Sequence, residues 1–292
     1  MRTILLTGKN GQVGWELQRT LATLGKVVAL DVEELDLSNP EAIRSAVRTI
    51  RPQIIVNPAA YTAVDKAESE PGAAQAINAE APGVFAEEAK ALGAWMVHYS
   101  TDYVFDGNKQ GAYFETDMPN PQSVYGKTKL AGEEAVRAAG GKHLILRTSW
   151  VYGSRGHNFM LTMLRLARER KELRVVDDQV GAPTWCRSLA EITAQILAQL
   201  HLPGREEGQV SGTYHLTSSG SVSWHGFAKA IIDRSGLENK PSLVAIPSHE
   251  YPTPAVRPKN SVLSNEKLGR TFGLAAGDWL DNLELCMQEL RR

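Results

Sequence analysis

Tyr125 and Lys129 stand four residues apart in Val124-Tyr125-Gly126-Lys127-Thr128-Lys129. On a helix that spacing stacks their side chains on one face. A phenol beside an ammonium is an acid/base pair. The cation favours the phenolate and draws a group that ordinarily titrates near about 10 toward neutral pH. Thr101, at the end of the run Trp95-Met96-Val97-His98-Tyr99-Ser100, adds a hydroxyl able to bond a carbonyl oxygen or the phenol. Such a trio suits reduction of a ketone, because hydride addition leaves negative charge on an oxygen that needs a proton donor within reach. Tyr125 is the candidate donor. Lys129 would lower its pKa and hold a nicotinamide ribose, and Thr101 would hydrogen-bond the substrate. Taken alone, the same residues read as a solvated helix start and a strand-end hydroxyl capping its own turn.

A dinucleotide site must lie nearby for that chemistry, and the sequence offers one. Thr7-Gly8-Lys9-Asn10-Gly11-Gln12-Val13-Gly14 follows the apolar run Ile4-Leu5-Leu6 and precedes a helical pattern. Strand, glycine turn and helix in that order let backbone N–H groups approach a pyrophosphate at a helix N-terminus. Gly8, Gly11, Gln12 and Val13 are the candidate cofactor residues, in a GxxGxxG spacing. Asp31 closes the next apolar run, Val27-Val28-Ala29-Leu30, about 20 positions on, where a carboxylate accepts from a ribose 2′-hydroxyl. It leans toward NADH. Lys9 inside the turn leans the other way, since it could meet the 2′-phosphate of NADPH.

With both motifs, the sequence resembles the extended short-chain dehydrogenase/reductase family that acts on nucleotide sugars. The narrower resemblance, to its reductases of dTDP-linked 4-keto-6-deoxysugars, rests on residues 11–17 (Gly-Gln-Val-Gly-Trp-Glu-Leu) and 62–68 (Thr-Ala-Val-Asp-Lys-Ala-Glu). It extends to 100–105 (Ser-Thr-Asp-Tyr-Val-Phe), 147–152 (Arg-Thr-Ser-Trp-Val-Tyr) and 181–184 (Gly-Ala-Pro-Thr). The resemblance implies reduction of the C4 ketone of dTDP-4-dehydro-L-rhamnose by NADPH or NADH. It implies that Asp36, Leu37, Ala60, Tyr61 and Thr62 pass beside the cofactor, and that Val64, Asp102 and Trp150 contact the sugar nucleotide. Trp150 reads equally well as a core aromatic. Arg257 and Lys259 are candidate hands for a diphosphate. Some members hold magnesium with three glutamates at a dimer contact; Glu16 and Glu289 match two of them, but Arg187 stands at the third. A guanidinium opposes a dication, so no magnesium-bridged dimer is expected, only a monomer or weak homodimer.

The elements that position these residues alternate strand and helix through the first half of the chain. This predicts an α/β fold: a Rossmann-type doubly wound parallel sheet with right-handed crossovers and a smaller C-terminal α/β substrate-binding domain. Residues 1–150 and roughly 172–202 form the dinucleotide domain in this reading, and roughly 151–171 and 203–292 the other. Ser38-Asn39-Pro40-Glu41 starts a helix. Residues 71–92 read as one helix that Pro82-Gly83 must interrupt or kink. Residues 105–123 read as a long active-site loop, Leu173–Asp178 as a strand returning to the sheet, and Pro203–Gly208 as the most linker-like stretch.

Composition narrows the function classes. Apolar residues make up 42% of 292, enough for a sizeable core, and the net charge of −1 offers no broad basic face for nucleic acid. Cys186 and Cys286, without a CxxC or histidine cluster, argue against zinc and a disulfide framework. No run suggests a signal peptide or a membrane span, so the default expectation is cytoplasmic. Two rivals remain: a dehydratase or epimerase on the same fold, and a non-catalytic NADP-binding regulatory subunit. The first would place Asp-Glu after the threonine, where Asp102 is followed by Tyr103. The second has no need of Tyr125, Lys129 and Thr101 together.

Overall fold

The computed structural model of the chain describes residues 2–200 and 210–291, so Pro203–Gly208 lies outside the described residues. Six parallel strands form the central sheet: Thr3–Leu6, Lys26–Ala29, Ile54–Asn57, Trp95–Thr101, His143–Thr148 and Gly212–His215. In space the first strand lies between the second and third, and the others follow in chain order. The direction of winding therefore reverses beside the first strand. A sheet of this kind opens a crevice at the carboxyl ends of the strands flanking that reversal.

The period of two along the strands decides which helices cover each face. Ile4, Leu6, Val56, Val97 and Leu146 face one way, onto Leu17 and Leu21 of helix Gln12–Ala22 and Leu189, Ile196 and Leu197 of helix Cys186–Gln199. Leu5, Ile55, Met96 and Ile145 face the other. They meet Ile43 and Val47 of helix Pro40–Ile50, Phe85 and Ala89 of helix Ala81–Leu92, and Val136 of helix Val124–Ala139. Asn39 caps helix Pro40–Ile50, accepting from the N–H groups of Glu41 and Ala42. The interruption expected near Pro82-Gly83 is a π-helical turn over Ala76–Glu80, and helical backbone runs on from it into helix Ala81–Leu92, which Pro82 enters at its second residue.

Leu173–Asp178 does not return to the central sheet. Strand Glu172–Val176 pairs in parallel with Ser242–Ile246, because Leu173 and Val175 are buried in a separate core. That core also holds Met160 and Leu164 of helix Phe159–Glu169, Phe227 and Ile231 of helix Trp224–Asp233, and Leu283 and Met287 of helix Trp279–Leu290. Cys186 and Cys286 are free thiols buried in it.

Helix Val124–Ala139 is fixed at its start and in its middle. The Ser123 hydroxyl accepts from Gly126 N, and Glu68 accepts from Val124 N at 2.8 Å. Gly126 lies so close to the chain crossing it that a Cβ would meet the Tyr103 carbonyl oxygen at 2.2 Å. Glu133, fully buried, receives Arg147 through two bonds of 2.8 and 2.7 Å and Ser100 Oγ at 2.6 Å, which ties the helix to two central strands. Burial opposes the ionisation of Glu133, yet Arg147, Ser100 and Arg137 hold its carboxyl below the ordinary glutamate value. Removing one partner of a buried pair strands the other charge, so Arg147→Ala should cost about 3–5 kcal/mol in urea unfolding. Arg165→Ala, in the exposed Arg165–Glu169 pair, should stay within about 0.5 kcal/mol.

Candidate active site

The crevice at the reversal is a pocket of about 160 Å³ lined by Thr7, Gly8, Leu30, Asp31, Val32, Leu35, Asp36, Leu37, Ala59, Ala60 and Ile77. Five expected cofactor residues therefore share one cavity: Gly8, Asp31, Asp36, Leu37 and Ala60. Gly8 has φ 59°, and a Cβ on Gly14 would sit 1.9 Å from the Gly8 carbonyl oxygen, so the turn closes only with glycine there. Gly11 caps helix Gln12–Ala22 without any side-chain bond, which leaves first-turn N–H groups of an 11-residue helix available to an anion. Val13 packs at the margin of two cores. The Gln12 side chain accepts from Asn158 Nδ2 at 2.9 Å and so is already partnered. Cavity, bare helix end and Asp31 together fit a dinucleotide.

Tyr61 and Thr62 lie just past the pocket, and one residue overlooked in the sequence fixes their loop. Asn78, fully buried in the π-turn, accepts from Tyr61 N at 2.8 Å and donates to Tyr61 O at 3.1 Å. It also donates to Thr128 Oγ1 at 3.2 Å, so one amide clamps the cofactor-side loop to the helix of Tyr125 and Lys129. The irregularity at Pro82-Gly83 was the only sequence signal for it.

Thr101 Oγ donates to Asp102 Oδ1 at 2.9 Å and accepts from Tyr103 N at 3.2 Å. It thus caps its own turn while also acting on the Tyr125 phenol. The Tyr125 ring packs edge-on against Tyr103, with centroids 5.5 Å apart. Burial pushes the Tyr125 phenol up to about 12; the Thr101 hydroxyl opposes this and the Asp102 charge adds to it. This corrects the expectation that Lys129 lowers that pKa. The Lys129 ammonium, 2% exposed, donates to Tyr99 O at 2.6 Å and lies 3.5 Å from His98 Nε2. Burial brings Lys129 down to about 8, against the pull of Glu133. His98, fully buried, is held well below the ordinary histidine value by burial and then by Lys129, so its ring is neutral. At neutral pH the site therefore presents a protonated phenol.

Asp102 is 3% exposed, and its Oδ2 has no geometric hydrogen-bond partner within the protein. Burial raises its carboxyl to about 6, opposed by Ser261 and Thr101. Trp150 takes φ 47° and stacks on Trp224 at 3.5 Å, and its indole lies where a Cβ on Gly181 would be 2.6 Å away. It is an aromatic packed between the Trp224 ring and Gly181. Val64 opens the short helix Val64–Ala67, whose Asp65 accepts from Arg257 Nη2 at 2.7 Å. That ion pair ties segment 253–259 to the dinucleotide side and occupies part of the Arg257 guanidinium. Arg187 bonds both Glu16, at 3.3 Å, and Glu289, so a guanidinium lies between the two carboxylates considered for magnesium. Among the described residues no three His, Cys, Asp or Glu side chains group to hold a metal ion, and no helix is long and apolar enough to cross a membrane.

The whole sequence, residues 1–292, matches the family described as RmlD substrate binding domain. It is 51% identical to the dTDP-4-dehydrorhamnose reductase of Burkholderia thailandensis, with 98% of each chain covered. The chain belongs to the dTDP-4-dehydrorhamnose reductase family. This is a family of oxidoreductases. The Escherichia coli K12 enzyme of that name is 50% identical over 98% of this chain and 97% of its own. A solved family structure from Bacillus anthracis, in complex with NADP, superposes with a TM-score of 0.91 at 37% identity, covering 99% of each chain. The UDP-glucose 4-epimerase of Thermus thermophilus, 21% identical with a TM-score of 0.82, shares the fold.

The buried Asp102 carboxyl yields a stability prediction. Its folded-state pKa lies above the unfolded one, so the native state holds its proton more tightly and loses stability as pH rises from about 4 through about 6. Asp102→Asn should therefore raise stability at pH 8, by on the order of 2–3 kcal/mol, and hardly at all at pH 4. Thermal unfolding of both proteins at the two pH values measures this; an equal effect at both would contradict it.

Proposed function

We propose that the protein reduces the C4 ketone of dTDP-4-dehydro-L-rhamnose to give dTDP-L-rhamnose, with NADPH or NADH as reductant. The observation that carries this reading is the half-buried Tyr125 phenol set against Thr101 at the carboxyl end of one central strand, with the glycine turn and its pocket at the carboxyl ends of neighbouring parallel strands. The dinucleotide, when bound, supplies the hydride. Gly8, Gly11, Asp31, Ala60 and the first turn of helix Gln12–Ala22 would hold it, with Lys129 toward its ribose.

The roles of the chain's own groups follow from their protonation and partners. Tyr125 donates its proton to the ketone oxygen as charge grows there, and a phenol held near 12 stays neutral and keeps that proton until the oxygen becomes basic enough to take it. Thr101 steadies the phenolate left behind. It has one hydroxyl proton, now given to Asp102, that can turn to the phenolate. Asp102 Oδ2 would accept from a sugar hydroxyl, adding a donor to those that Thr101 and Ser261 already supply to the buried carboxyl. The unit built on the second core, roughly 151–171 and 203–292 with strand Glu172–Val176 paired into it, would receive the nucleotide. Residues 1–150 with helix Cys186–Gln199 would hold the dinucleotide. Arg257, through Asp65, bridges the two. A cytoplasmic monomer or weak homodimer accords with this reading.

Oxidation of NAD(P)H followed at 340 nm, with the dTDP ketosugar as substrate, tests it. Wild type should turn over and yield dTDP-L-rhamnose, and Tyr125→Phe should lose about 10²–10⁴-fold in kcat with its fold intact by circular dichroism. Loss of less than tenfold would remove Tyr125 from the role of donor. Formation of an epimer or dehydrated sugar without net NAD(P)H consumption would favour the rival enzyme class.

A further inference from the structure

The rim of the dinucleotide pocket carries a charge arrangement that goes beyond binding. Asp31 is fixed by two backbone donors, Asn10 N to Oδ2 and Val32 N to Oδ1, each at 2.8 Å. The turn over residues 31–35 folds back, with Glu34 N and Leu35 N both donating to Asp31 O. This fold-back lets Glu34 use both carboxylate oxygens: Oε2 accepts from Asp31 N at 2.9 Å, and Oε1 takes the Lys9 ammonium. Asp36, also lining the pocket, is turned onto Ser38 N and Oγ at 2.8 and 2.7 Å. Lys9 is the cation of this group, and Glu34 holds it. Both side chains remain partly exposed, at 26% for Lys9 and 41% for Glu34, so neither needs the pair to stay folded.

NADH and NADPH differ only at the ribose 2′ position, a hydroxyl in one and a phosphate of about −2 charge in the other. Asp31 offers an acceptor to the hydroxyl. A phosphate there meets the carboxylates of Asp31 and Glu34 while the lysine that would neutralise it is occupied. We propose that Glu34 is the residue that limits acceptance of the 2′-phosphorylated dinucleotide, by holding the Lys9 ammonium and adding its own charge to the rim. The inference rests on the dinucleotide reading of the pocket.

The test is equilibrium binding of NADPH and of NADH to the full chain, without sugar, from quenching of tryptophan fluorescence. Glu34→Gln keeps an acceptor for Asp31 N but frees Lys9. It should tighten NADPH by about tenfold and leave NADH within about twofold. Lys9→Met added to Glu34→Gln should erase that gain. An unchanged ratio of the two dissociation constants in Glu34→Gln would overturn the proposal, as would a gain that survives loss of Lys9. Should neither dinucleotide bind the wild type, the reading of the pocket itself fails, an outcome distinct from an unaltered ratio.

Discussion

The pairing of Glu133 with Arg147 is the interaction on which the rest of the site depends. Helix Val124–Ala139 carries both Tyr125 and Lys129, and its own propensity could not aim them to within a fraction of an ångström. The aim comes from a charge pair with no exposed surface on the glutamate, joined by Ser100 from the strand that delivers Thr101 and Asp102. One turn of helix from Glu133 is Lys129, whose ammonium anchors to the carbonyl of Tyr99 in that same strand. Helix and strand are thus locked at two successive turns. The phenol at the head of the helix inherits its position from those locks and from the Ser123 and Glu68 caps.

Burial does most of the electrostatic work in this site. It pushes Tyr125 up, Asp102 up and Lys129 down, each toward its neutral form. For a reductase this is useful at the phenol, which must carry a proton, and costly at Asp102, whose carboxylate loses its water without gaining a full set of protein partners. Such a group is tolerated where a ligand completes its bonding. The stability forgone at Asp102 and the affinity expected for a sugar hydroxyl are two views of one desolvated oxygen.

Much of this was legible in the sequence because it is local. The glycine spacing, the apolar runs before it and the Tyr-x-x-x-Lys interval are short-range patterns, and the sheet, the pocket and the shared helix face followed from them. What the sequence did not disclose depends on side-chain direction or distant packing. The i, i+4 interval places Lys129 on the Tyr125 face but does not say that its ammonium turns to the Tyr99 carbonyl, and so the sense of the phenol's pKa shift was missed. The pattern of Glu172–Val176 is that of any half-buried strand, and its partner, Ser242–Ile246, lies some seventy residues away. Asn78 looked like an ordinary polar residue in an alanine-rich helix; only the π-turn directs its amide at Tyr61 and Thr128. Arg187 is a further instance of distant packing. Its guanidinium bonds both Glu16 and Glu289, which lie far from it in the chain.

The central claim is that a protonated Tyr125 phenol, one helical turn from a charged Lys129 that would hold the dinucleotide ribose, gives its proton to the ketone. The pH dependence of kcat/KM for ketosugar reduction tests it most directly. The rate should stay level through neutral pH and fall as pH rises past about 8, where the Lys129 ammonium proposed to hold the dinucleotide ribose is lost while the phenol still keeps its proton. A rate that instead climbs steadily through that range would mean that an ionised base drives the reaction, and would contradict the account.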